Sequence, residues 1–170
     1  MIEYTYKVGQ TIHDREQMKT KVYGEGRQVV ASNRVRIPSD YCDFVSDGVY
    51  AAPGENGCFL LIPTENVDTV LAKYNKSEPF LDQTEEMKEF SRRIHRKMFK
   101  PTIDSQFRMT ITENMKKLCK GIENAVEIVF GGEGDYLEVW PAHVYDKRYG
   151  DEEEDDFDMM IAMLRAKLNK

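Results

Sequence analysis

Residues 90–112 read FSRRIHRKMFKPTIDSQFRMTIT and join a strongly basic segment to a strand-like motif, Asp104-Ser-Gln-Phe-Arg108. The segment from Lys88 to Lys120 contains ten lysines and arginines and three acids. Its local net charge is therefore +7, in a chain whose net charge is −6. Such a basic segment in an acidic protein indicates a dedicated anionic partner, and nucleic acid is the first candidate. The structural alternative is a solvated helix face whose charges pair with acids elsewhere in the chain.

Length and composition predict a small protein of one domain or two very small ones. The 170 residues are 41% hydrophobic, which is enough for a modest core. No apolar run approaches the roughly 18 residues of a membrane span, and no signal peptide precedes the first charges. The three cysteines are widely spaced and indicate reduced thiols, neither a disulfide frame nor a zinc site. We therefore expect a cytoplasmic protein with no membrane partner.

Local sequence patterns predict the helices but allow two interpretations of the N-terminal segment. Helices are predicted after Thr64, Thr84 and Thr112, each of which is placed to cap the helix that follows it. Residues 1–21 are interpreted as an N-terminal extension. The alternation of apolar residues over 2–8 fits a short strand there, and a flexible extension is the alternative.

The sequence contains an internal repeat. VASNRVRIP (30–38) aligns with DSQFRMTIT (104–112), which places Arg34 on Arg108. FLLIP (59–63) aligns with LEVWP (137–141), and each ends a predicted β-hairpin with a glycine-containing turn. Two such units predict a pseudo-twofold domain, because a unit of this size cannot bury its sheet alone.

The C-terminus differs in character from the repeat. Asp151–Asp158 holds seven acids in eight residues, and an amphipathic helix is predicted after it. This helix needs an apolar surface to cover, on its own subunit or on a neighbour. The acids either solubilise the protein or fold over the basic segment and compete with DNA phosphate. The apolar stripe of the helix consists of Phe157, Met160, Ile161, Leu164 and Leu168.

No constellation typical of an enzyme is found in the sequence. The three histidines are far apart, and there is no phosphate-binding loop or nucleophile elbow. Gly131–Gly134 lies between two strand candidates, so it predicts a hairpin turn and not a phosphate cradle. Cys119 lies on the apolar side of its predicted helix, which indicates a buried thiol. We expect no catalysis, no cofactor and no metal site.

Taken together, the two repeats resemble the MraZ family of bacterial transcriptional regulators, which belongs to the AbrB-like superfamily. The resemblance covers about residues 22–149 and rests on the order GCFLLIP, helix, FSRRIHRKMF, IDSQFRMTI, helix and YLEVWP. It implies an α+β fold, a pseudo-twofold double swapped-hairpin β-barrel with flanking helices, closed by the C-terminal amphipathic helix. The implied division is an N-terminal extension (1–21), a first repeat (22–80), a second repeat (81–149) and an acidic segment with the C-terminal helix (150–170).

The family signature is DxxxR in each half. The second copy is intact as Asp104 and Arg108, whereas the first copy keeps Arg34 but has Val30 in place of the aspartate and Asn33 in place of a usual glycine. The aspartate either forms a local ion pair that fixes the turn, or holds an outward arginine for phosphate or base contact. Arg34 is expected to be an exposed contact residue, because it has lost its acidic neighbour.

The resemblance implies a sequence-specific DNA-binding transcriptional regulator in the cytoplasm, associated with the nucleoid. It implies double-stranded DNA as the partner and repeated short DNA boxes as the target. It also implies a homo-oligomer, which in this family is often a ring. The alternative is a protein-interaction or scaffold module whose basic patch docks an acidic protein. The residues expected to bind DNA are Arg34, Arg36, Arg92, Arg93 and Arg108.

Overall fold

The computed structural model of the chain describes residues 19–74, 84–150 and 157–169, and within them the fold is a mixed α+β one. Its helical elements also include short 3-10 turns at 39–41, 64–66 and 120–124. The strands are β1 (Glu25–Val29), β2 (Arg34–Arg36), β3 (Val49–Pro53), β4 (Phe59–Pro63), β5 (Arg108–Thr110), β6 (Glu127–Gly132) and β7 (Leu137–Pro141). The helices are α1 (Cys42–Val45), α2 (Val67–Tyr74), α3 (Glu85–Lys97), α4 (Glu113–Leu118), α5 (Ala142–Tyr149) and α6 (Phe157–Leu168).

Five of the strands form one antiparallel sheet in the order β1-β6-β7-β4-β3. The predicted hairpins are confirmed, since β3 pairs with β4 and β6 pairs with β7. The glycine-rich stretch therefore belongs to the end of β6 and the turn after it, as the sequence predicted. The other two strands, β2 and β5, form a separate antiparallel pair although they lie in different halves of the chain.

The central part of the five-stranded sheet is buried on both faces, each with its own apolar cluster, whereas the edge strand β1 has no buried residue. All five residues of β4 are buried, because its neighbours β3 and β7 cover both edges and other elements cover both faces. One face packs against the β2–β5 pair through Val35 and Met109, and the opposite face packs against α2 and α5. The largest fully buried side chains on the two faces include Phe59, Phe130, Leu61, Trp140, Leu60 and Ile62.

The helix caps agree with the sequence at two of three positions. The hydroxyls of Thr84 and Thr112 accept hydrogen bonds from the backbone N–H groups of Met87 (3.2 Å) and Met115 (3.4 Å). The prediction for Thr64 was wrong. Its hydroxyl donates to the carbonyl oxygen of Gly48 at 3.3 Å, and a 3-10 turn leads into α2 without a side-chain cap.

Helix α6 does not cover the domain to which it is attached. It is helical at the predicted position, but every one of its residues is exposed. Of the two surfaces expected to be covered by its apolar stripe, the one on its own subunit is not covered in the described part of the chain, and the one on a neighbour stays a prediction. No helix in that part is long and apolar enough to cross a membrane.

Several predictions fall outside the described residues. These are the alternating segment 2–8 and the acids of 151–156, which precede α6. The boundaries of the two repeats also stay a prediction.

A buried carboxylate joins three distant segments of the fold. The side chain of Asp135, in the β6–β7 turn, is 3% exposed and accepts hydrogen bonds from the ammonium groups of Lys21 (2.8 Å) and Lys73 (2.9 Å). Its backbone carbonyl accepts from the amide of Asn66 at 2.9 Å, and Asn66 is itself fully buried. The two lysines lower the pKa of the Asp135 carboxyl, so it stays ionised at neutral pH.

Replacing Asp135 by Asn is expected to lower the free energy of unfolding by about 1–2 kcal/mol, because two charge-assisted hydrogen bonds are lost from a buried acceptor. The contribution of a carboxyl with a lowered pKa is complete above the unfolded value of about 3.9 and is lost as the pH falls through the folded value. Urea unfolding of Asp135→Asn and the parent should therefore differ at pH 7 and converge on acidification below about pH 4.

The matched control is Asp47→Asn, which breaks the ion pair between Lys19 and an aspartate side chain that is 64% exposed. Exposed pairs contribute about 0–1 kcal/mol. If Asp47→Asn and Asp135→Asn cost the same at pH 7, burial of Asp135 is not what makes its lysine pairs stabilising.

Candidate nucleic-acid interface

The intact motif is a turn built around the Asp104 carboxylate. One oxygen, Oδ1, accepts hydrogen bonds from the backbone N–H groups of Gln106 (2.9 Å) and Arg108 (3.0 Å). The other oxygen, Oδ2, accepts from Nε of Arg108 at 2.8 Å. Phe107 completes the turn in the left-handed region, with φ at 58°. The carboxylate therefore fixes both the backbone of the turn and the direction of the arginine.

The hydrogen bonds to Asp104 lower the pKa of its carboxyl, the backbone N–H of Arg108 most and the Arg108 guanidinium and the N–H of Gln106 as well. Within the guanidinium of Arg108, only Nε donates to Asp104, and no described residue forms a hydrogen bond with the two Nη groups. The two interpretations of the motif are thus compatible. The ion pair is structural at Nε and leaves the outer edge of the guanidinium open for a ligand.

The corresponding turn of the first repeat lacks the aspartate and is one residue shorter. Two residues, both in the left-handed region, lie between its paired backbone groups, whereas three residues lie between Asp104 and Arg108. Ala31 and Arg34 exchange backbone hydrogen bonds of 2.9 Å and 3.0 Å, and Asn33 has a φ of 61°, close to that of Phe107. The amide of Asn33 donates to the carbonyl oxygen of Ile111 at 2.8 Å. Asn33 therefore supplies a side-chain bond at the position where the family usually has glycine.

Equivalent hydrogen bonds cross between the two repeats. The N–H of Ile111 donates to the carbonyl oxygen of Asn33 at 2.9 Å, and the N–H of Ile37 donates to that of Phe107 at 2.8 Å. These are matched positions of the repeat alignment, so the turns are related by an approximate twofold axis. The axis passes through the β2–β5 pair at the neighbours Val35 and Met109.

Three arginines share the outer face of the β2–β5 pair. Val35 and Met109 point inward and are buried, so the residues on either side of them point outward. Arg36 lies directly opposite Arg108, and Arg34 lies opposite Thr110. We call this set, Arg34, Arg36, Arg108 and Thr110, the arginine face. Thr110 was not among the predicted contacts, although the alternation along β5 would have indicated it.

The premise that Arg34 has lost its acidic neighbour was wrong, whereas its role as an exposed contact residue stays a prediction. Nη1 of Arg34 lies 3.8 Å from Oδ2 of Asp104, in the other repeat. The sequence could not indicate this contact, because it depends on the pairing of β2 with β5. Asp104 therefore holds arginines of both copies of the motif.

The predicted contacts Arg92 and Arg93 lie on a different element, helix α3, which packs against β3. Both pair with Glu89, at 3.4 Å and 3.2 Å, and both side chains are more than half exposed. They therefore lie on a helix, and not on the β2–β5 pair that carries the other predicted contacts.

The cysteines are structural. Cys119 is 1% exposed, and burial raises the pKa of its thiol to about 11. Its thiol donates to the carbonyl oxygen of Gly57 at 3.2 Å. Burial also raises the pKa of the Cys58 thiol. The prediction of a buried Cys119 thiol is confirmed.

The chain is similar to several bacterial proteins named transcriptional regulator MraZ. It is 26% identical to the one from Mycoplasmoides gallisepticum over 117 residues, which cover 67% of this chain and 76% of that protein. It is 27% identical to that of Mycoplasmopsis synoviae over 121 residues, which cover 70% and 80%. It is 30% identical to that of Thermus thermophilus over 113 residues, which cover 63% and 72%.

The chain belongs to the MraZ family. The resemblance found in the sequence is thereby confirmed, although no protein-family model matches the chain. As a divergent MraZ member it retains one aspartate of the two DxxxR signatures. That aspartate, Asp104, contacts the arginines of both signatures.

The backbone hydrogen bonds to Oδ1 of Asp104 and the ion pair at its Oδ2 can be tested separately. Asp104→Asn keeps an oxygen that accepts from the backbone, whereas Asp104→Ala removes it. We expect the backbone N–H groups of Gln106 and Arg108 to stay protected from hydrogen exchange in Asp104→Asn and to lose protection in Asp104→Ala, as measured by NMR. Equal loss in both variants would mean that the ion pair, and not the backbone bonds, holds the turn.

Proposed function

We propose that this chain is a DNA-binding transcriptional regulator that contacts double-stranded DNA through the arginine face. The relatives are named transcriptional regulators, and such proteins are not enzymes. On this proposal the chain acts without catalysis or a cofactor, in the cytoplasm and in association with the nucleoid.

The observation that carries the proposal is the register of β2 and β5. It sets the like charges of Arg36 and Arg108 directly opposite each other, with Arg34 on the same face. Like charges at opposed positions destabilise a strand pair. Folding alone gives no reason for this arrangement, whereas a phosphate or a base edge lying across both strands would bind the two guanidinium groups together.

The shape of the site suits duplex DNA. The major groove, about 12 Å wide, admits a two-stranded antiparallel ribbon of the kind formed by β2 and β5. Guanidinium groups bind phosphate oxygens or the edge of guanine in a bidentate manner. Asp104 orients Arg108 through Nε and leaves its Nη groups for such contacts, so less side-chain entropy is lost on binding.

Arg92 and Arg93 are proposed as secondary phosphate contacts. They lie on the exposed surface of α3, and Glu89 beside them reduces their net charge. We expect them to contribute to affinity through the DNA backbone and not to choice of sequence.

The finer features of the fold belong to this proposal too. The crossed hydrogen bonds at Asn33 and Phe107 support a double swapped-hairpin barrel, in which each repeat completes the other. The exposed apolar helix α6 supports a homo-oligomer, in a ring if the contacts close. Repeated sites on such an assembly would bind repeated short DNA boxes, and weak individual contacts would add through effective concentration.

The test is a salt-titrated binding assay on the DNA upstream of the chain's own gene. We expect binding at low salt and a steep, linear fall of log K with log salt concentration. Arg36→Gln and Arg108→Gln should each weaken binding and reduce the steepness of that fall by about 1 for each phosphate that the variant no longer neutralises.

The control is Arg148→Gln, which removes an arginine of α5 outside the arginine face and should leave binding unchanged. Melting curves of Arg108→Gln show whether weaker binding comes from the missing guanidinium or from an unfolded protein. No binding by the parent at low salt, on either upstream or random DNA, would rule out the regulator. Selective binding of an acidic protein instead would favour an interaction module.

Assembly is tested by light scattering at micromolar concentration. The chain has a mass of 19.8 kDa, and we expect a multiple of this value because several large apolar side chains of α6 are about half exposed or more. A species of one chain mass at every concentration would contradict the proposed oligomer.

A further inference from the structure

A cleft of about 300 Å³ opens between the C-terminal end of α3 and helix α4. Its rim carries the cations Arg96, Lys97 and Lys117, all exposed and without an ion pair to any residue that the structure describes. Its floor is apolar and half-buried, and consists of Met98, Phe99 and Leu118. We call this feature the basic cleft.

The basic cleft is held by backbone contacts on both sides. Phe99 exchanges hydrogen bonds of 2.8 Å and 3.2 Å with Ala51 at the edge of β3. On the other side, the Thr112 hydroxyl caps α4, and Met115 anchors that helix in the core. The cleft is therefore a formed feature of the domain surface.

An apolar floor within a cationic rim fits an acidic amphipathic segment better than a bare phosphate. A phosphate would neutralise the cations but leave the floor in contact with a charged group. A helix with an apolar stripe and acids beside it would cover the floor and pair with the rim.

This chain itself contains a segment of that kind. Helix α6 begins at Phe157, so that six acids directly precede it in the sequence and a seventh, Asp158, lies in its first turn. Its large apolar side chains are 45–84% exposed, from Ile161 to Leu168. In the single chain the apolar side of the helix is exposed to solvent and the cleft is open. The helix and the cleft are therefore complementary surfaces that do not meet within one chain.

We propose that α6 of one copy docks in the basic cleft of a second copy. This inference rests on the proposed homo-oligomer and names the contact that builds it. Such a contact joins two different surfaces, so it runs head to tail and gives a ring or a filament. Seven residues line the cleft, whereas a standard interface has about 20–30 residues a side, so the cleft anchors a wider contact along the helix.

The experiment uses two full-length variants, each with one half of the contact removed. The cleft variant is Lys97→Glu with Lys117→Glu, and the helix variant is Ile161→Asp with Leu164→Asp. Light scattering should give one chain mass, 19.8 kDa, for each variant alone. In a 1:1 mixture, the intact α6 of the first meets the intact cleft of the second, and we expect twice the mass of one chain.

Matched controls keep the same change of charge. Lys120→Glu with Lys147→Glu alters two exposed lysines outside the cleft, and Ala162→Asp with Ala166→Asp places two acids on the opposite side of α6. Since Ala is the better helix former, the second control loses at least as much helix propensity as the helix variant. Both should assemble as the parent does, and circular dichroism should give the same fold for all variants.

Each other outcome overturns the inference in a recognisable way. A parent of one chain mass removes the proposed oligomer itself. If the cleft variant has the same mass as the parent oligomer, the chain does assemble but the contact lies outside the cleft, for instance between two copies of α6. Loss of mass in each variant without recovery on mixing excludes the head-to-tail contact. Loss of DNA affinity in the cleft variant at unchanged mass would make the cleft a phosphate site.

Discussion

The antiparallel contact of β2 with β5 is the constraint on which the rest of the structure depends. It pairs Val35 with Met109, residues more than seventy positions apart, and buries both side chains. The hydrogen bonds at Asn33 and Phe107 flank this pair on either side. Closing so long a loop costs chain entropy, and three residue pairs of a strand cannot offset it alone. The β2–β5 pair is held because its inner face completes the core of the five-stranded sheet.

The same alternation that buries Val35 and Met109 places arginines on the outside. A strand has two faces, so a strand that is tightly held by its inner face presents its outer face rigidly. The arginine face is therefore preorganised by the core, and Asp104 orients Arg108 by a hydrogen bond and lies within ion-pair distance of Arg34. In a protein whose overall charge is −6, this local concentration of cations limits anion binding to particular surfaces.

The turns that end this pair store some strain. Phe107 is a bulky residue in the left-handed region, where side chains other than those of glycine and asparagine are disfavoured. Its ring packs against the core cluster, and the Asp104 carboxylate bonds the backbone on either side of it. Asn33 tolerates the same conformation and bonds Ile111. The two turns nevertheless differ in length, since the first closes over two residues, Ser32 and Asn33, and the second over three. The first repeat thus keeps a tight turn without an aspartate because both of its central residues adopt positive φ.

The sequence by itself determined the local elements and the family. Hairpins, two threonine caps and the amphipathic helix follow from short-range periodicity and turn chemistry, and the ordered motifs indicated MraZ. Sequence reasoning also marked the candidate arginines, because charge density and the DxxxR spacing are local properties. The pairing of distant residues is visible only in the folded chain: Asp104 lies near Arg34 as well as Arg108, and Arg36 opposes Arg108. These facts depend on which distant strands meet and in what register. That is settled by burial of the whole core, and no short window of residues contains it.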